Sequence, residues 1–190
     1  GTLITGISMG GMGAIRIAFK HPDTFQAVAA MEPGIEPALD FQSLTKRDTF
    51  WRAPALFAQI FGTPVDEDFW AANNPASIAK ADPASLRDLS IYLEAGDQDM
   101  FFLHQGTEFL HRILFDAGVS HEYRLVAGAD HVGPSIGGRF LNAMNFLGRV
   151  LDPPEWVNEE VINARKRVDT FKRMSGYPVE EHDPRDLRTR

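Results

Sequence analysis

The 190-residue sequence contains no cysteine, which excludes disulfides and thiolate metal ligands. It has no basic excess either: 19 Lys and Arg face 26 Asp and Glu, and the net charge of -7 argues against a nucleic-acid backbone as partner. No apolar run is long enough to span a membrane, and no signal-peptide pattern is found. With 44% hydrophobic residues, the composition suits one globular domain.

The stretch from Leu3 to Phe19 organises the chain. A β-prone run leads into Gly6-Ile7-Ser8-Met9-Gly10, which fits G-x-S-x-G, and an apolar stripe at helical spacing follows. This pattern predicts a nucleophile elbow, a sharp strand-to-helix turn that presents a serine hydroxyl. Gly6 and Gly10 are expected where a Cβ has little room. We therefore predict Ser8 as a nucleophile and the Met9 amide as one oxyanion donor.

Two other glycine-rich motifs fit this stretch poorly. A phosphate-binding loop requires Gly-Lys-Ser/Thr after the turn, and none follows. A dinucleotide fingerprint requires Gly or Ala where this chain has Arg16. A plain serine-containing loop stays open on the pentapeptide alone, and the strand before it and the helix after it favour the elbow.

Alternating strand and helix patterns predict an α/β fold with a predominantly parallel sheet flanked by helices. The elbow helix ends at His21-Pro22-Asp23. Phe25 to Met31 is a buried strand that Glu32-Pro33-Gly34 closes. The later predicted elements are a strand at 89–94, a helix at 102–117, a strand at 121–126 and a helix at 135–150.

The segment from about residue 35 to 86 has a looser pattern of short helical pieces rich in proline and aromatics. Such a long insertion between core strands predicts a lid or a binding surface. Five aromatic residues are candidates for an acyl or aromatic pocket, although their spacing favours core packing: Trp51, Phe57, Phe61, Phe69 and Trp70.

Beyond Asp152-Pro153-Pro154 the sequence becomes highly charged. One amphipathic helix is predicted from 155 to 174, and its basic residues favour a solvated face over a partner-binding surface. The predicted domains are therefore a catalytic domain at 1–151, with the lid-like insertion inside it, and a charged helical extension at 152–190.

Ser8, Asp99 and His131 each follow a predicted strand, in the chain order Ser, Asp, His. This is the order of α/β-hydrolase triads, and open α/β sheets have their sites at the carboxyl ends of strands. A serine hydroxyl needs an imidazole to take its proton, and the imidazole needs a carboxylate to fix its tautomer. These tasks are assigned to Ser8, His131 and Asp99.

Other histidines and aspartates are less well placed for the roles of base and acid. Only His131 follows the last strand, whereas the other histidines lie at helix ends, on a helix, at a strand start or in the tail: His21, His104, His111, His121 and His182. Asp97 is the alternative acid on the same turn as Asp99. The acid of such hydrolases commonly stands three residues after the strand-ending glycine, which favours Asp99. Asp130 is predicted to be a turn residue.

Three motifs together resemble the esterase D family. They are the run from Gly6 to Ala14, the Gly96-Asp97-Gln98-Asp99-Met100-Phe101 turn and Asp130-His131, and the stretch from Gly62 to Pro75 is also similar. That family includes S-formylglutathione hydrolases, feruloyl esterases and mycolyltransferase-like enzymes. The resemblance covers about Leu3 to Leu151.

The resemblance implies hydrolysis of a small-molecule ester or thioester through an acyl-enzyme, without metal or cofactor. An acyltransferase or a serine peptidase of the same fold is the alternative within enzymes. A catalytically incomplete interaction domain is the alternative outside them. The family's second oxyanion donor comes from a loop after an early strand, which this sequence does not contain.

The position of the elbow strand gives one more expectation. The chain starts at Gly1 directly in this strand, which parallel sheets normally bury between neighbours. We therefore expect that upstream residues are missing, that residues 1–190 alone are nearly inactive and self-associate, and that roughly 100 or more further residues restore a soluble esterase.

Overall fold

The computed structural model describes residues 1–179, and His182 lies outside them. Four strands form one parallel sheet in the order β1-β2-β3-β4. The strands are β1 (Thr2–Ile7), β2 (Phe25–Met31), β3 (Ser90–Gly96) and β4 (Glu122–Val126). The predicted α/β class with a parallel sheet is confirmed.

Eight helices accompany the sheet within the described residues. They are α1 (Met9–Lys20), α2 (Lys46–Thr49), α3 (Pro54–Phe61), α4 (Glu67–Ala71), α5 (Pro75–Ala81), α6 (Leu103–Asp116), α7 (Ile136–Leu151) and α8 (Glu159–Met174). Two 3₁₀ turns lie at Phe41–Ser43 and Pro83–Leu86. None of these helices is both long and apolar enough to cross a membrane.

Alternating residues of β2 separate the two faces of the sheet. Val28 and Ala30 pack in one core with helices α1, α5 and α6, whereas Ala27 and Ala29 pack in another with α7. This follows from the two-residue period of a strand, because both faces of β2 must be apolar when helices cover both. Loops at the carboxyl ends of the strands are left to form a site.

The insertion after β2 divides into two parts. Phe57, Phe61 and Trp70 form a small apolar cluster of their own. Ala76 and Ala79 of α5 belong instead to the main core beside α1 and α6. The part of segment 35–86 that lies outside the main core is thus shorter than the whole segment, and its role as a lid or binding surface stays a prediction.

The chain divides into two compact units at residue 151. In the second unit, α8 begins at Glu159 rather than at residue 155, because the Asn158 side chain accepts a hydrogen bond from Val161 N at 3.1 Å and caps the helix there. No residue of α8 is buried.

Candidate active site

Ser8 lies at the turn between β1 and α1. Its backbone has φ 58° and ψ −123°, a conformation that costs free energy for a residue with a side chain. A Cβ at Gly6 would lie 2.3 Å from Gly10 O, so the tight turn requires glycine there. The same interpretation of Gly10 is wrong, because a Cβ on it would meet nothing within 4 Å; Gly11 is the crowded neighbour, at 2.9 Å from Met31 O.

Backbone hydrogen bonds fix the turn around Ser8. Ser8 N donates to Met31 O at 2.9 Å, and Ser8 O accepts from Met12 N at 3.0 Å and from Gly34 N at 3.3 Å. Met9 is the first residue of α1, where helix N–H groups have no intrahelical partner. The Met9 amide is therefore available to an anion beside Ser8.

Asp99 and His131 form a direct pair. His131 Nδ1 lies 2.7 Å from Asp99 Oδ2, and the Asp99 side chain is fully buried. Asp99 Oδ1 accepts from Phe101 N at 2.7 Å and from Leu103 N at 3.3 Å. The Phe101 ring meets the imidazole edge to face at 4.8 Å between centroids, which restricts its rotation. Both hydrogen bonds and packing therefore fix the imidazole.

The loop after β3, which carries Asp99, and the loop after β4, which carries His131, approach each other closely. A Cβ on Gly96 would lie 2.2 Å from Ala129 O, so only glycine lets the ends of β3 and β4 meet there. Asp97 Oδ1 accepts from Gly128 N at 2.7 Å, and Asp130 Oδ1 accepts from Met100 N at 2.9 Å. Asp97 and Asp130 thus tie one loop to the other, whereas Asp99 holds the imidazole.

No hydrogen bond joins Ser8 Oγ to His131 among the described residues, whereas Asp99 and His131 are brought together. Strands in a sheet lie about 4.8 Å apart, and two strands separate β1 from β4. The His131 imidazole and the carboxyl of Glu32, the residue after β2, have atoms within 4.8 Å of each other. The imidazole therefore lies near a side chain from the loop after β2, the direct neighbour of the Ser8 strand.

The other described histidines have other contacts. His111 Nδ1 lies 2.8 Å from His121 Nε2, and the His111 ring stacks on Tyr123 at 4.2 Å. His104 Nδ1 is buried without a hydrogen-bond partner among the described residues. None of these rings contacts the Asp99 loop through a hydrogen bond.

A buried ionic network that the sequence did not reveal lies behind Asp99. Arg139 of α7 donates from Nε to Glu94 Oε1 at 2.7 Å, from Nη1 to Asp130 O at 3.0 Å, and from Nη2 to Glu32 Oε1. Glu32, Glu94 and Arg139 are all at most 3% exposed. Removing one partner of such a buried pair typically costs about 3–5 kcal/mol, because it leaves an uncompensated charge.

Glu32 extends this network to the Asp99–His131 pair. Atoms of the Glu32, Asp99 and His131 side chains lie within 4.8 Å of one another. Burial raises the pKa of Glu32 to about 8, and the neighbouring Asp99 carboxyl adds to the effect, while Arg139 and Gly96 N oppose it. Burial would also raise the pKa of Asp99, but the neighbouring Glu32 carboxyl and the hydrogen bonds with His131 and Phe101 N outweigh it and lower that pKa.

The same three side chains are the residues that could hold a metal ion. Their present contacts oppose one. His131 Nδ1 is already engaged by Asp99, and the Arg139 guanidinium already binds Glu32. A cation there would lie close to the guanidinium charge and would compete with it for Glu32.

Backbone strain concentrates around these residues. Among the described residues, the non-glycine residues with positive φ are Ser8 at 58°, Glu32 at 44° and Phe102 at 59°. Ser8 and Glu32 directly follow β1 and β2, and Phe102 lies in the loop of Asp99. Such strain persists only where the surrounding structure enforces it, and it clusters at functional sites. It is an independent indication that these loops form one site.

A cavity of about 300 Å³ adjoins the residue after Ser8. Its lining includes Met9 of the turn, Leu56 and Ile60 of α3, and the aromatic residues Phe61 and Trp70 of the insertion. Its volume is at the lower end of the range for small-molecule sites. Phe61 and Trp70 belong to the insertion's core cluster and also line this cavity. Core packing and a contribution to a pocket are therefore compatible for these two residues.

The fold and the strained serine turn define the class of this protein as an α/β hydrolase. A family model described as "Putative esterase" matches residues 1–138. The chain belongs to that family, which confirms the resemblance drawn from its motifs.

Three solved structures are similar in fold. A ferulic acid esterase has a TM-score of 0.57 and 24% identity, with 78% of this chain and 51% of that chain covered. An S-formylglutathione hydrolase from Agrobacterium tumefaciens has 0.51 and 22%, with 78% and 45% covered. An acylaminoacyl peptidase has 0.60 and 20%, with 83% and 25% covered. The chain thus spans about half the length of the two esterases.

Proposed function

We propose that this protein is a serine hydrolase that cleaves carboxylic ester or thioester bonds through an acyl-enzyme. Ser8 is the nucleophile, His131 the general base and acid, and Asp99 the carboxylate that orients His131. The observation that carries the proposal is the buried 2.7 Å contact between His131 Nδ1 and Asp99 Oδ2, on the same edge of the sheet as the Ser8 turn. Membership of an esterase family supports it.

The chemistry follows from the hydrogen bonds. Because Asp99 accepts from Nδ1–H, the neutral imidazole of His131 keeps a lone pair on Nε2. Nε2 takes the hydroxyl proton as Ser8 Oγ bonds to the carbonyl carbon, and it returns the proton to the departing alcohol or thiol. Water then attacks the acyl carbon while Nε2 takes its proton, the bond from Ser8 Oγ to the acyl carbon breaks, and Nε2 returns the proton to Oγ as the carboxylic acid leaves. The Met9 N–H stabilises the oxyanion in each step.

The cavity beside Met9 accommodates the acyl group in this proposal. Its position next to the proposed oxyanion donor and its lining by Met9, Ile60, Phe61 and Trp70 suit an apolar chain or a small ring. The acceptor of the acyl group is water in a hydrolase and another molecule in an acyltransferase. An amine leaves instead of an alcohol in a peptidase, and the same three side chains serve all of these reactions.

A covalent probe tests the nucleophile directly. We expect a fluorophosphonate to add one adduct mass to the protein at Ser8, because the elbow exposes an activated hydroxyl. Intact mass measurement should show no adduct with Ser8→Ala, and nitrophenyl ester hydrolysis should be lost with it. Ser120→Ala, an exposed serine before β4, is the matched control and should react like the wild type. An adduct that persists in Ser8→Ala contradicts the assignment.

A further inference from the structure

Glu32 is a buried carboxyl whose two oxygens have different surroundings. Oε1 accepts hydrogen bonds from Gly96 N at 2.9 Å and from Arg139 Nη2. Oε2 is buried and has no hydrogen-bond partner among the described residues. An ionised carboxylate in this position would leave one charged oxygen without a donor, which costs free energy in a buried site.

The neighbours of Glu32 show which carboxyl can hold a proton. Both oxygens of Glu94 accept, one from Arg139 Nε and the other from Tyr92 Oη. Asp99 accepts from two backbone N–H groups and pairs with His131. Glu94 and Asp99 are therefore solvated as anions by protein donors. Glu32 Oε2 remains the carboxyl oxygen of this group that lacks a donor.

We propose that Glu32 is a positioning residue for the proposed active site, and that its neutral carboxyl donates a hydrogen bond from Oε2–H to the Asp99 carboxylate. This inference rests on the proposed hydrolase function. The hydrogen bond gives Oε2 a role as donor and gives Asp99 one more donor. Arg139 anchors the other oxygen of Glu32, so α7 supports the orientation of the Asp99–His131 pair.

The charges around Glu32 agree with a neutral carboxyl. Asp99 follows β3, Glu94 lies on β3, His131 follows β4, and Arg139 lies on α7. The Arg139 guanidinium contacts Glu32 and Glu94, and Glu32 also lies within 4.8 Å of Asp99, so this buried network holds three carboxyl groups and one guanidinium. Glu94 and Asp99 are satisfied as anions. Two adjacent carboxylates in one buried site cannot both ionise at neutral pH without a large penalty, so one keeps its proton. The pKa of Glu32, raised to about 8, agrees with this choice.

The Glu32→Gln variant distinguishes a neutral hydrogen-bond donor at position 32 from an anionic carboxylate, because glutamine can replace only the neutral form. The amide oxygen can accept from Gly96 N and Arg139 as Oε1 does, and the amide NH₂ can donate to Asp99 as Oε2–H does. We expect kcat/KM for nitrophenyl acetate at pH 7 to stay within about threefold of wild type. Glu32→Ala, which removes the donor, should lower it by about 10- to 100-fold.

The pH profile distinguishes positioning from a merely structural role. Wild-type kcat/KM should fall as the pH rises through about 8, because ionised Glu32 no longer donates and repels Asp99. In Glu32→Gln this fall should disappear. Glu122→Gln is the matched control, because Glu122 also pairs with an arginine of α7, Arg149, but on the half-exposed surface. It should keep the wild-type profile.

A direct measurement keeps the inference separate from the proposed function. With ¹³C-labelled glutamate, the carboxyl resonance that Glu32→Gln removes should titrate near pH 8. The low-field Nδ1–H proton resonance of His131 should shift over the same pH range. These signals decide the inference even if no ester is hydrolysed. A Glu32 resonance that titrates near 4.5, or a loss in Glu32→Gln as large as in Glu32→Ala, overturns it.

Discussion

Two aspartates on one turn illustrate how residue-level contacts separate similar side chains. Asp97 and Asp99 both follow the glycine that ends β3. Asp97 is partly exposed and accepts from Gly128 N, whereas Asp99 is buried and holds His131 Nδ1. The hydrogen bonds to ionised Asp99 lower its pKa despite burial, so it remains an anion when the imidazole must be held in one tautomer.

We predict that Asp99→Asn lowers kcat far more than Asp97→Asn. An amide at position 99 can donate from its NH₂ group to His131 Nδ1. This favours the imidazole tautomer that carries its proton on Nε2, and in that tautomer Nε2 cannot accept the serine proton. The loss in a well-studied triad of this kind is about 10⁴-fold. Asp97→Asn keeps an oxygen for Gly128 N, so we expect less than about a tenfold change. Steady-state kinetics on both variants test this, and equal losses would make Asp97 a candidate for the acid.

At the scale of elements, helix α3 of the insertion after β2 forms part of the wall of the cavity beside Met9. Helix α3 contributes both to the aromatic cluster and to the cavity beside Met9, since Phe57 and Phe61 are buried in the cluster while Ile60 lines the cavity and is 41% exposed. Because Ile60 lines the cavity and is also partly open to solvent, it can be enlarged without overpacking the cluster. Substrate size should therefore be set by α3.

We predict that Ile60→Trp narrows the cavity beside Met9 and, if the acyl group binds there as proposed, selectively slows the hydrolysis of long acyl esters. Discrimination in an apolar pocket is worth about 10- to 200-fold per misfit group, so kcat/KM for nitrophenyl octanoate should fall at least about tenfold relative to the acetate. Ile17→Trp on α1 is the control, because Ile17 is equally exposed and does not line the cavity. An unchanged octanoate-to-acetate ratio in Ile60→Trp would show that the acyl group binds elsewhere.

At the scale of the whole molecule, the buried network connects folding to pH. Below pH 4.5 the Glu32 carboxyl is protonated in the folded and the unfolded chain alike. Between 4.5 and about 8 the unfolded chain releases this proton and the folded chain keeps it, so stability falls as the pH rises. Above about 8 both states are ionised and the loss is complete.

We predict that this linkage is visible in the free energy of unfolding. Relative to Glu32→Gln, which carries no ionisable group there, wild-type stability should decrease steadily from pH 5 to pH 8. The shift in pKa sets an upper bound of about 5 kcal/mol on the decrease. Urea unfolding at several pH values measures it. A constant difference between the two proteins over this range would mean that Glu32 is ionised in the folded state.

Much of the fold follows from patterns that are local in sequence. The strand at Phe25–Met31 has the predicted first and last residues, because turn signals bound it on both sides. Its continuous apolar run is typical of a strand that helices cover on both faces of a parallel sheet. The G-x-S-x-G turn specified Ser8 because the required glycine and the flanking elements are adjacent in the chain. Helix ends were less well determined by the sequence, because α8 begins at Glu159, directly after the Asn158 cap and four residues beyond the predicted start at 155.

The sequence alone determined the class of fold, the Ser8 turn, and a preference for Asp99 and His131, because each depends on short-range order and on the rule that strand ends share one edge. Only the tertiary structure decided what surrounds them. Glu32 and Arg139 are 107 residues apart in the sequence. The hydrophobic periodicity of β2 and α7 predicts which face of each element is buried, but it does not predict that these two side chains contact each other. Burial and the position of a donor, which decide whether a carboxyl keeps its proton, exist only once the loops after β2 and β3 and helix α7 pack together.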